Sequence, residues 1–134
     1  MPDTLKVLVV EDDEAIRSLV GEALSDGGFQ PSIAASGEVA LSLLSKDKYD
    51  LLVLDIKLGR DGIPGWHVAR RARAITPGLP VIYITGAAAD EWAVQGVAKS
   101  IILRKPFAPA QLICAVSELL TAAAASATCG IADI

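Results

Sequence analysis

The sequence predicts a three-layer α/β fold in which helices cover both faces of one parallel, five-stranded sheet. Short apolar runs rich in Val, Ile and Leu recur along the chain, as they do in strands that are buried on both faces. Segments with apolar residues at helical spacing separate these runs, and such alternation gives right-handed crossovers and a doubly wound sheet. Four of the runs end at a charged or hydroxyl side chain, which indicates a site at one edge of the sheet.

The first two strands are each followed by an amphipathic helix. A strand at residues 5–10 leads to a helix at 13–26, where Asp13 can cap the first turn and a glycine pair ends the pattern. A strand at 29–34 leads to a second helix that Ser36 can cap. The apolar positions of these helices are Ile16, Leu19, Val20, Ala23 and Leu24 in the first, and Ala40, Leu43 and Leu44 in the second.

The middle of the chain supplies the third strand, a long loop, a helix and the fourth strand. The strand at 50–54 is followed by a glycine-rich loop at 59–65, with Pro64 near the start of the next helix. A Thr-Pro-Gly sequence ends that helix before the strand at 80–84. The residues that this helix is expected to bury are Val68, Ala72 and Ile75.

The last part of the chain predicts a helix at 88–97, a strand at 100–103 and a helix that begins at Pro109. We expect the folded domain to span residues 1–122 and the small-residue segment 123–134 to form a flexible tail. Residues of the last helix that are predicted to point inward are Leu112, Ile113, Val116, Leu119 and Leu120, with Cys114 as a further buried small residue.

The composition indicates one domain and excludes several classes of function. Hydrophobic residues make up 52% of the 134 residues, which is enough for an aliphatic core. The net charge of −4 argues against nucleic-acid binding, which usually requires a basic surface. No apolar stretch is long enough to span a membrane, and the N-terminus does not resemble a signal peptide. Two cysteines without metal-ligand spacing favour free thiols, so we expect a cytoplasmic protein.

Polar residues follow four of the five predicted strands. They are Glu11, Asp12 and Asp13 after the first strand, Asp55 after the third, Thr85 after the fourth and Lys105 after the fifth. In parallel α/β sheets, ligands bind just beyond the carboxyl ends of the strands, so these side chains are expected to share one site. The acidic cluster and Asp55 must then lie on neighbouring strands. This requirement places the first strand centrally and predicts the flavodoxin-like order 2-1-3-4-5.

Three converging carboxylates, those of Glu11, Asp12 and Asp55, favour a bound cation. At a separation of about 4 Å and an effective dielectric constant near ~20, each pair repels by about 4 kcal/mol. Such a site raises a pKa or recruits a cation, and oxygen ligands with spare positions for water suit Mg²⁺. Lys105 adds a positive charge and Thr85 a hydroxyl donor. A nucleophile, a metal ion and a charge clamp are what in-line phosphoryl transfer to a carboxylate requires.

At these residues the chain resembles the receiver domain of two-component response regulators, over about residues 4–122. The motifs that carry the resemblance are Val9-Val10-Glu11-Asp12-Asp13, Leu54-Asp55-Ile56-Lys57-Leu58, Ile84-Thr85-Gly86 and Arg104-Lys105-Pro106-Phe107. The resemblance implies that Asp55 is the phosphoacceptor, Thr85 the switch hydroxyl and Lys105 the lysine that pairs with the phosphoryl group. A receiver catalyses only its own phosphorylation and dephosphorylation, so the resemblance implies a signalling protein and not an enzyme acting on other substrates.

The resemblance also implies the metal ligands. Asp12 and Asp55 would bind Mg²⁺ or Mn²⁺ directly, and the backbone carbonyl of Lys57 would be a third ligand. Glu11 would act indirectly, through a bound water.

One loop and one residue depart from the usual receiver pattern. The loop at 58–65 is about two residues longer and has glycine at the usual proline position, which is similar to receivers attached to, or encoded near, hybrid histidine kinases. Ile102 stands where the family often has an aromatic residue, three positions before Lys105. We therefore expect output to travel through the helix at 88–97 or through the loop at 85–90, and not through a Thr–aromatic switch.

The partners that the resemblance implies are a histidine kinase or a histidine phosphotransfer protein as the donor, and a downstream protein that the sequence does not name. The donor would dock on the first helix, around Ala15, Ser18 and Leu19, and on the loop Pro106-Phe107-Ala108. The chain shows no segment for an output domain, so we expect it to signal by protein contact. We expect a monomer or a weak homodimer through the last two predicted helices, and neither nucleic acid nor a membrane as a partner.

Four alternatives to a stand-alone receiver fit parts of the sequence. A degenerate receiver could act only as a docking or dimerisation module, although its site residues would normally be broken. The chain could also be the receiver module of a hybrid histidine kinase. A flavin or nucleotide binder needs a phosphate-binding loop after the first strand, where the acidic cluster would repel a phosphate. A phosphohydrolase usually has its nucleophile after the first strand and a cap domain, for which this chain has no room.

Overall fold

The computed structural model describes residues 5–56, 65–85, 100–105 and 107–132. Within these ranges five strands form one parallel sheet in the order β2-β1-β3-β4-β5. The strands are β1 (Lys6–Val10), β2 (Gln30–Ala34), β3 (Leu51–Asp55), β4 (Val81–Thr85) and β5 (Ser100–Arg104). The described helices are α1 (Glu14–Asp26), α2 (Gly37–Lys46), α3 (Gly65–Ile75) and α4 (Pro109–Ala132). The predicted fold class and strand order are confirmed.

Two hydrophobic clusters cover the two faces of the sheet. Alternate residues of β1 enter them: Leu8 and Val10 join α2 and α3 on one face, whereas Val7 and Val9 join α1 and α4 on the other. All four side chains are fully buried. A strand that is covered on both faces has no polar side to show, which explains the unbroken apolar run that predicted it.

The first helix begins at a side-chain cap. Oδ1 of Asp13 accepts the backbone N–H of Ala15 at 2.9 Å and that of Ile16 at 3.3 Å. These bonds satisfy N–H groups that have no partner within the helix, which typically contributes about 1 kcal/mol. Asp13 therefore starts α1 directly after the polar end of β1, as the sequence indicated.

Two side chains predicted to be buried are exposed, so those predictions are wrong. Ile75, the last residue of α3, is 45% exposed. Cys114 on α4 is also exposed. Its neighbours Leu112 and Ala115 are buried, and Cys114 turns away because the inward stripe of a helix covers only part of its circumference.

Helical backbone continues past residue 122, the predicted end of the domain, as far as Ala132. Alanine has the highest intrinsic helix propensity, so an alanine-rich segment readily extends the preceding helix. The predicted helix at 88–97, most of the loop at 58–65 and the loop at 85–90, apart from Thr85, lie outside the described residues. None of the helices in the described part of the chain combines the length and the apolar character that a membrane span needs.

Candidate functional site

The carboxyl ends of β1, β3, β4 and β5 bring the predicted polar residues to one edge of the sheet. Glu11 directly follows β1, Asp55 ends β3, Thr85 ends β4 and Lys105 directly follows β5. β1 and β3 are neighbours in the sheet, with Val10 opposite Leu54, so Glu11 and Asp55 emerge side by side. The strand order therefore produces the convergence that the sequence suggested.

Asp55 and Lys105 form the central ion pair of this edge. Nζ of Lys105 lies 2.9 Å from Oδ2 of Asp55 and 3.6 Å from Oε1 of Glu11. Both carboxylates are buried, whereas the Lys105 side chain is 26% exposed. The backbone N–H of Lys105 also donates to the carbonyl of Thr85 at 2.8 Å, which ties the end of β5 to β4. The lysine is thus held at both its backbone and its amine.

One carboxylate oxygen from each of Glu11, Asp12 and Asp55 lies within 4.8 Å of the other two. Asp12 is exposed, so the group opens to solvent on that side. Oε1 of Glu11 is buried and accepts no hydrogen bond from the described part of the chain, and its ion pair with Lys105 is long. A buried, under-satisfied oxygen beside two further carboxylates fits a hard divalent cation such as Mg²⁺.

The electrostatics of the edge favour an additional positive charge. Burial, followed by the charge of Asp55, raises the pKa of Glu11 to about 8, although the N–H of Asp13 donates to its Oε2 at 3.2 Å and acts in the opposite sense. Burial lowers the pKa of Lys105, but its hydrogen bond to Asp55 and the charge of Glu11 outweigh that effect, so the pKa is raised. The single positive charge of Lys105 does not neutralise the carboxylates of this group, so the site favours binding of a cation.

Thr85 is 2% exposed and lies one position beyond the residue of β4 that pairs with Asp55. The structure therefore places it at the same edge, as predicted. The backbone N–H of Ile56 donates to the carbonyl of Ile84 at 3.1 Å, which continues the β3–β4 pairing past Asp55. Lys57, the predicted carbonyl ligand, lies outside the described residues.

A further residue at this edge, Gly65, was predicted only as the end of a loop. Its backbone N–H donates to the carbonyl of Ile56 at 2.8 Å, so the first residue of α3 rests on the backbone that follows Asp55. Glycine is the residue that permits a close backbone approach, so a glycine at the start of the helix was the signal that the sequence offered.

Below the site, the ring of Trp66 packs on Tyr83 with a centroid separation of 4.6 Å. Ile102, at the position where receivers often have an aromatic residue, is partly buried against the same cluster. Two aromatic rings from α3 and β4 thus fill the core near Ile102.

Comparisons with known proteins agree with this geometry. The family model described as the response regulator receiver domain matches residues 7–117. The crystal structure of a response regulator receiver protein from Sinorhizobium medicae superposes with a TM-score of 0.86 at 42% identity, and the match covers 90% of this chain and 98% of that one.

Two curated relatives are longer proteins. The transcriptional regulatory protein CusR of Escherichia coli is 32% identical over 123 residues, which cover 90% of this chain and 53% of CusR. A putative NtrX-like response regulator of Rickettsia conorii is 37% identical over 105 residues, which cover 77% of this chain and 22% of that protein. The family model, the relatives and the shared fold together show that this chain belongs to the response regulator receiver domain family.

Proposed function

We propose that Asp55 accepts a phosphoryl group from a histidine kinase or a histidine phosphotransfer protein, as one step of a two-component phosphorelay. The observation that carries this proposal is the contact of 2.9 Å between Lys105 Nζ and Asp55 Oδ2, at a carboxylate that ends a buried strand. The oxygens of Glu11 and Asp12 beside it supply the remaining features of a phosphoryl-transfer site.

In the proposed reaction, a carboxylate oxygen of Asp55 attacks the phosphorus atom of the donor phosphohistidine. The bond between phosphorus and the imidazole nitrogen breaks, and its electron pair returns to the nitrogen. The product is an acyl phosphate on Asp55. Lys105 stays next to the charge that is added, and the hydroxyl of Thr85 is proposed to donate to a phosphoryl oxygen.

The metal ion belongs to the same proposal. Asp12 and Asp55 would hold Mg²⁺ or Mn²⁺ directly, with the Lys57 carbonyl as a further ligand and Glu11 acting through water. When bound, the ion would neutralise the charge that builds up on the transferring group. The carboxylates of this chain would hold and orient the ion, and the buried strand ends exclude water from one side of the site.

Signalling follows from the charge added at Asp55. Lys105 and Thr85 would move towards the phosphoryl oxygens and shift a two-state surface, which a partner protein reads by contact. Ala15 and Ser18 on α1 are exposed and accessible to the proposed donor. The proposal also includes a cytoplasmic location. It includes either a monomer or a weak homodimer that pairs through α4 and the predicted helix at 88–97. The chain spans 53% and 22% of the two longer relatives, so a role within a larger regulator is equally compatible with this chemistry.

Intact-protein mass after incubation with acetyl phosphate and Mg²⁺ tests the proposal. We expect one added phosphoryl group, which is absent in Asp55→Asn and in the presence of a chelator. Asp26→Asn, an exposed carboxylate at the end of α1, is the matched control and should be modified like wild type. Absence of an adduct with acetyl phosphate and with beryllofluoride, a phosphoryl mimic, would contradict the proposal and favour a docking module.

A further inference from the structure

The first residue of α3 touches the backbone of the proposed acceptor. A Cβ atom built on Gly65 would lie 2.5 Å from the Asp55 carbonyl oxygen and 2.6 Å from Ile56 Cα. Both distances are shorter than real Cβ contacts allow, because ordinary van der Waals contact begins at 3.4 Å. Only glycine lets the helix approach the end of β3 this closely.

Ile56, the residue directly after Asp55, is held through both of its backbone polar groups. On one side the N–H of Ile56 donates to the Ile84 carbonyl of β4 at 3.1 Å. On the other side the N–H of Gly65 donates to the Ile56 carbonyl at 2.8 Å. A backbone that is fixed in this way restricts the directions in which the Asp55 side chain can point.

Helix α3 is closely packed at this contact. Its residues Val68, Ala69 and Ala72 are fully buried, and Trp66 is anchored on Tyr83. The Asp55–Ile56 peptide, in contrast, lies where the chain leaves the sheet. A side chain at position 65 is therefore expected to displace the Asp55–Ile56 backbone relative to α3.

We propose that Gly65 is a positioning residue for Asp55: the missing side chain lets α3 abut the Asp55 carbonyl and thereby aims the carboxylate at Lys105 and the acidic pair. This inference rests on the proposed role of Asp55 as the acceptor. It means that the site depends on the backbone contact at Gly65 as well as on the side chains of Asp55, Lys105, Glu11 and Asp12.

The size of the effect follows from the size of the clash. Relief of the contact requires a displacement of roughly 1 Å, and misplacement of a reacting group by about 1 Å can cost about 10²-fold in rate. We expect Gly65→Ala to lower the phosphorylation rate at saturating acetyl phosphate and Mg²⁺ by roughly tenfold or more. The loss should appear in the maximal rate more than in the KM for acetyl phosphate. The groups that bind acetyl phosphate remain, whereas the direction of the Asp55 carboxylate changes.

Two other Gly→Ala variants serve as matched controls. A Cβ on Gly21 of α1 would have its nearest neighbour at 3.8 Å, so Gly21→Ala fits without strain. Gly78 follows α3 at its opposite end, has φ +82° and has no atom within 4 Å of a built Cβ. Gly78→Ala therefore destabilises the protein through backbone strain, far from Asp55.

Two readouts separate positioning from general destabilisation. The first is the phosphorylation rate of each folded variant, compared with its urea midpoint. The second is the ¹³C signal of the Asp55 carboxyl group in the metal-free protein, which should move in Gly65→Ala and stay in place in both controls. This second signal does not depend on phosphorylation. If wild type accepts no phosphoryl group, the proposed function fails, and the carboxyl signal alone decides the positioning role.

The inference is supported if only Gly65→Ala loses rate and moves the carboxyl signal. It is overturned if Gly65→Ala reacts within twofold of wild type, or if Gly78→Ala loses as much rate at an equal loss of stability. Should Gly65→Ala not fold, amide exchange in wild type decides the question. Strong protection of the Gly65 N–H from exchange supports the contact between α3 and the backbone after Asp55. Exchange as fast as that of an unstructured amide contradicts it.

Discussion

The amine of Lys105 lies 2.9 Å from the carboxylate of Asp55, although the two residues are separated by 50 positions in the sequence. β4 lies between their strands in the sheet, so the long lysine side chain crosses the end of that strand to reach Asp55. The same amine is 3.6 Å from Glu11, which follows β1. The Lys105 ammonium thus links the ends of three strands, and most of the expected behaviour of the site depends on it.

Lys105→Met is expected to separate metal binding from phosphoryl transfer. Lys105 competes with Mg²⁺ for the charge of Glu11 and Asp55, so its loss should leave Mg²⁺ affinity equal or higher. Phosphorylation by acetyl phosphate should slow by about tenfold or more, because a charge-assisted contact to the transferring group is lost. Titration calorimetry and intact mass measure the two effects, with the exposed Lys46→Met as the control. Weaker Mg²⁺ binding in Lys105→Met would count against this account.

Asp12 and Asp13 should differ sharply in their effect on Mg²⁺ affinity. Asp12 belongs to the group of three carboxylates, so Asp12→Asn removes a charged ligand and is expected to weaken Mg²⁺ binding by about tenfold or more. Asp13 instead caps α1, and asparagine caps a helix about as well as aspartate. Asp13→Asn is therefore the matched control, with affinity near that of wild type. Equal losses in the two variants would show that overall charge, and not ligation, governs binding.

The raised pKa of Glu11 predicts how the stability of the metal-free protein depends on pH. Between the ordinary value of 4.5 and the folded-state value of about 8, the folded protein keeps a proton that the unfolded chain has released. The free energy of unfolding should therefore fall as pH rises through this window, by at most about 1.4 kcal/mol per pH unit for one proton. The raised pKa of Lys105 acts only at higher pH, where its stabilising contribution is lost as the amine deprotonates.

Urea unfolding in the presence of a chelator, across this pH window, measures the predicted slope. Glutamine at position 11 cannot ionise, so Glu11→Gln should reduce the slope of unfolding free energy against pH. Glu38→Gln, at an exposed position in the first turn of α2, should retain the wild-type slope. A slope that is the same in wild type and in Glu11→Gln would refute the assignment to this carboxyl group.

Trp66 and His67 are adjacent on α3 but should contribute very differently to stability. Trp66 is 7% exposed and packs on Tyr83, so Trp66→Ala is expected to lower the free energy of unfolding by about 3–5 kcal/mol. His67 is exposed, and His67→Ala should change the free energy of unfolding by no more than about 0.5 kcal/mol. Denaturant unfolding of the two variants checks this contrast, and similar values would mean that α3 packs differently from the structure described.

Much of the site was predictable because its residues are marked locally. Glu11, Asp55 and Thr85 each lie at the end of an apolar run, and a parallel sheet collects such ends at one edge. The burial of Ile75 and Cys114 was predicted wrongly, from the helical spacing of apolar residues. Helical periodicity assigns a residue to a broad stripe, and whether its side chain is covered depends on where the neighbouring element ends.

The sequence by itself determined the order of strands and helices, the family and the chemical kind of the site, because apolar periodicity and strand-end residues are properties of short segments. Only the tertiary structure decided the burial that raises the pKa of Glu11, the distance between Lys105 and Asp55, and the contact of Gly65 with the backbone of Asp55 and Ile56. These quantities depend on how segments far apart in the chain pack to within about 1 Å, and close packing of that kind is a property of the assembled core.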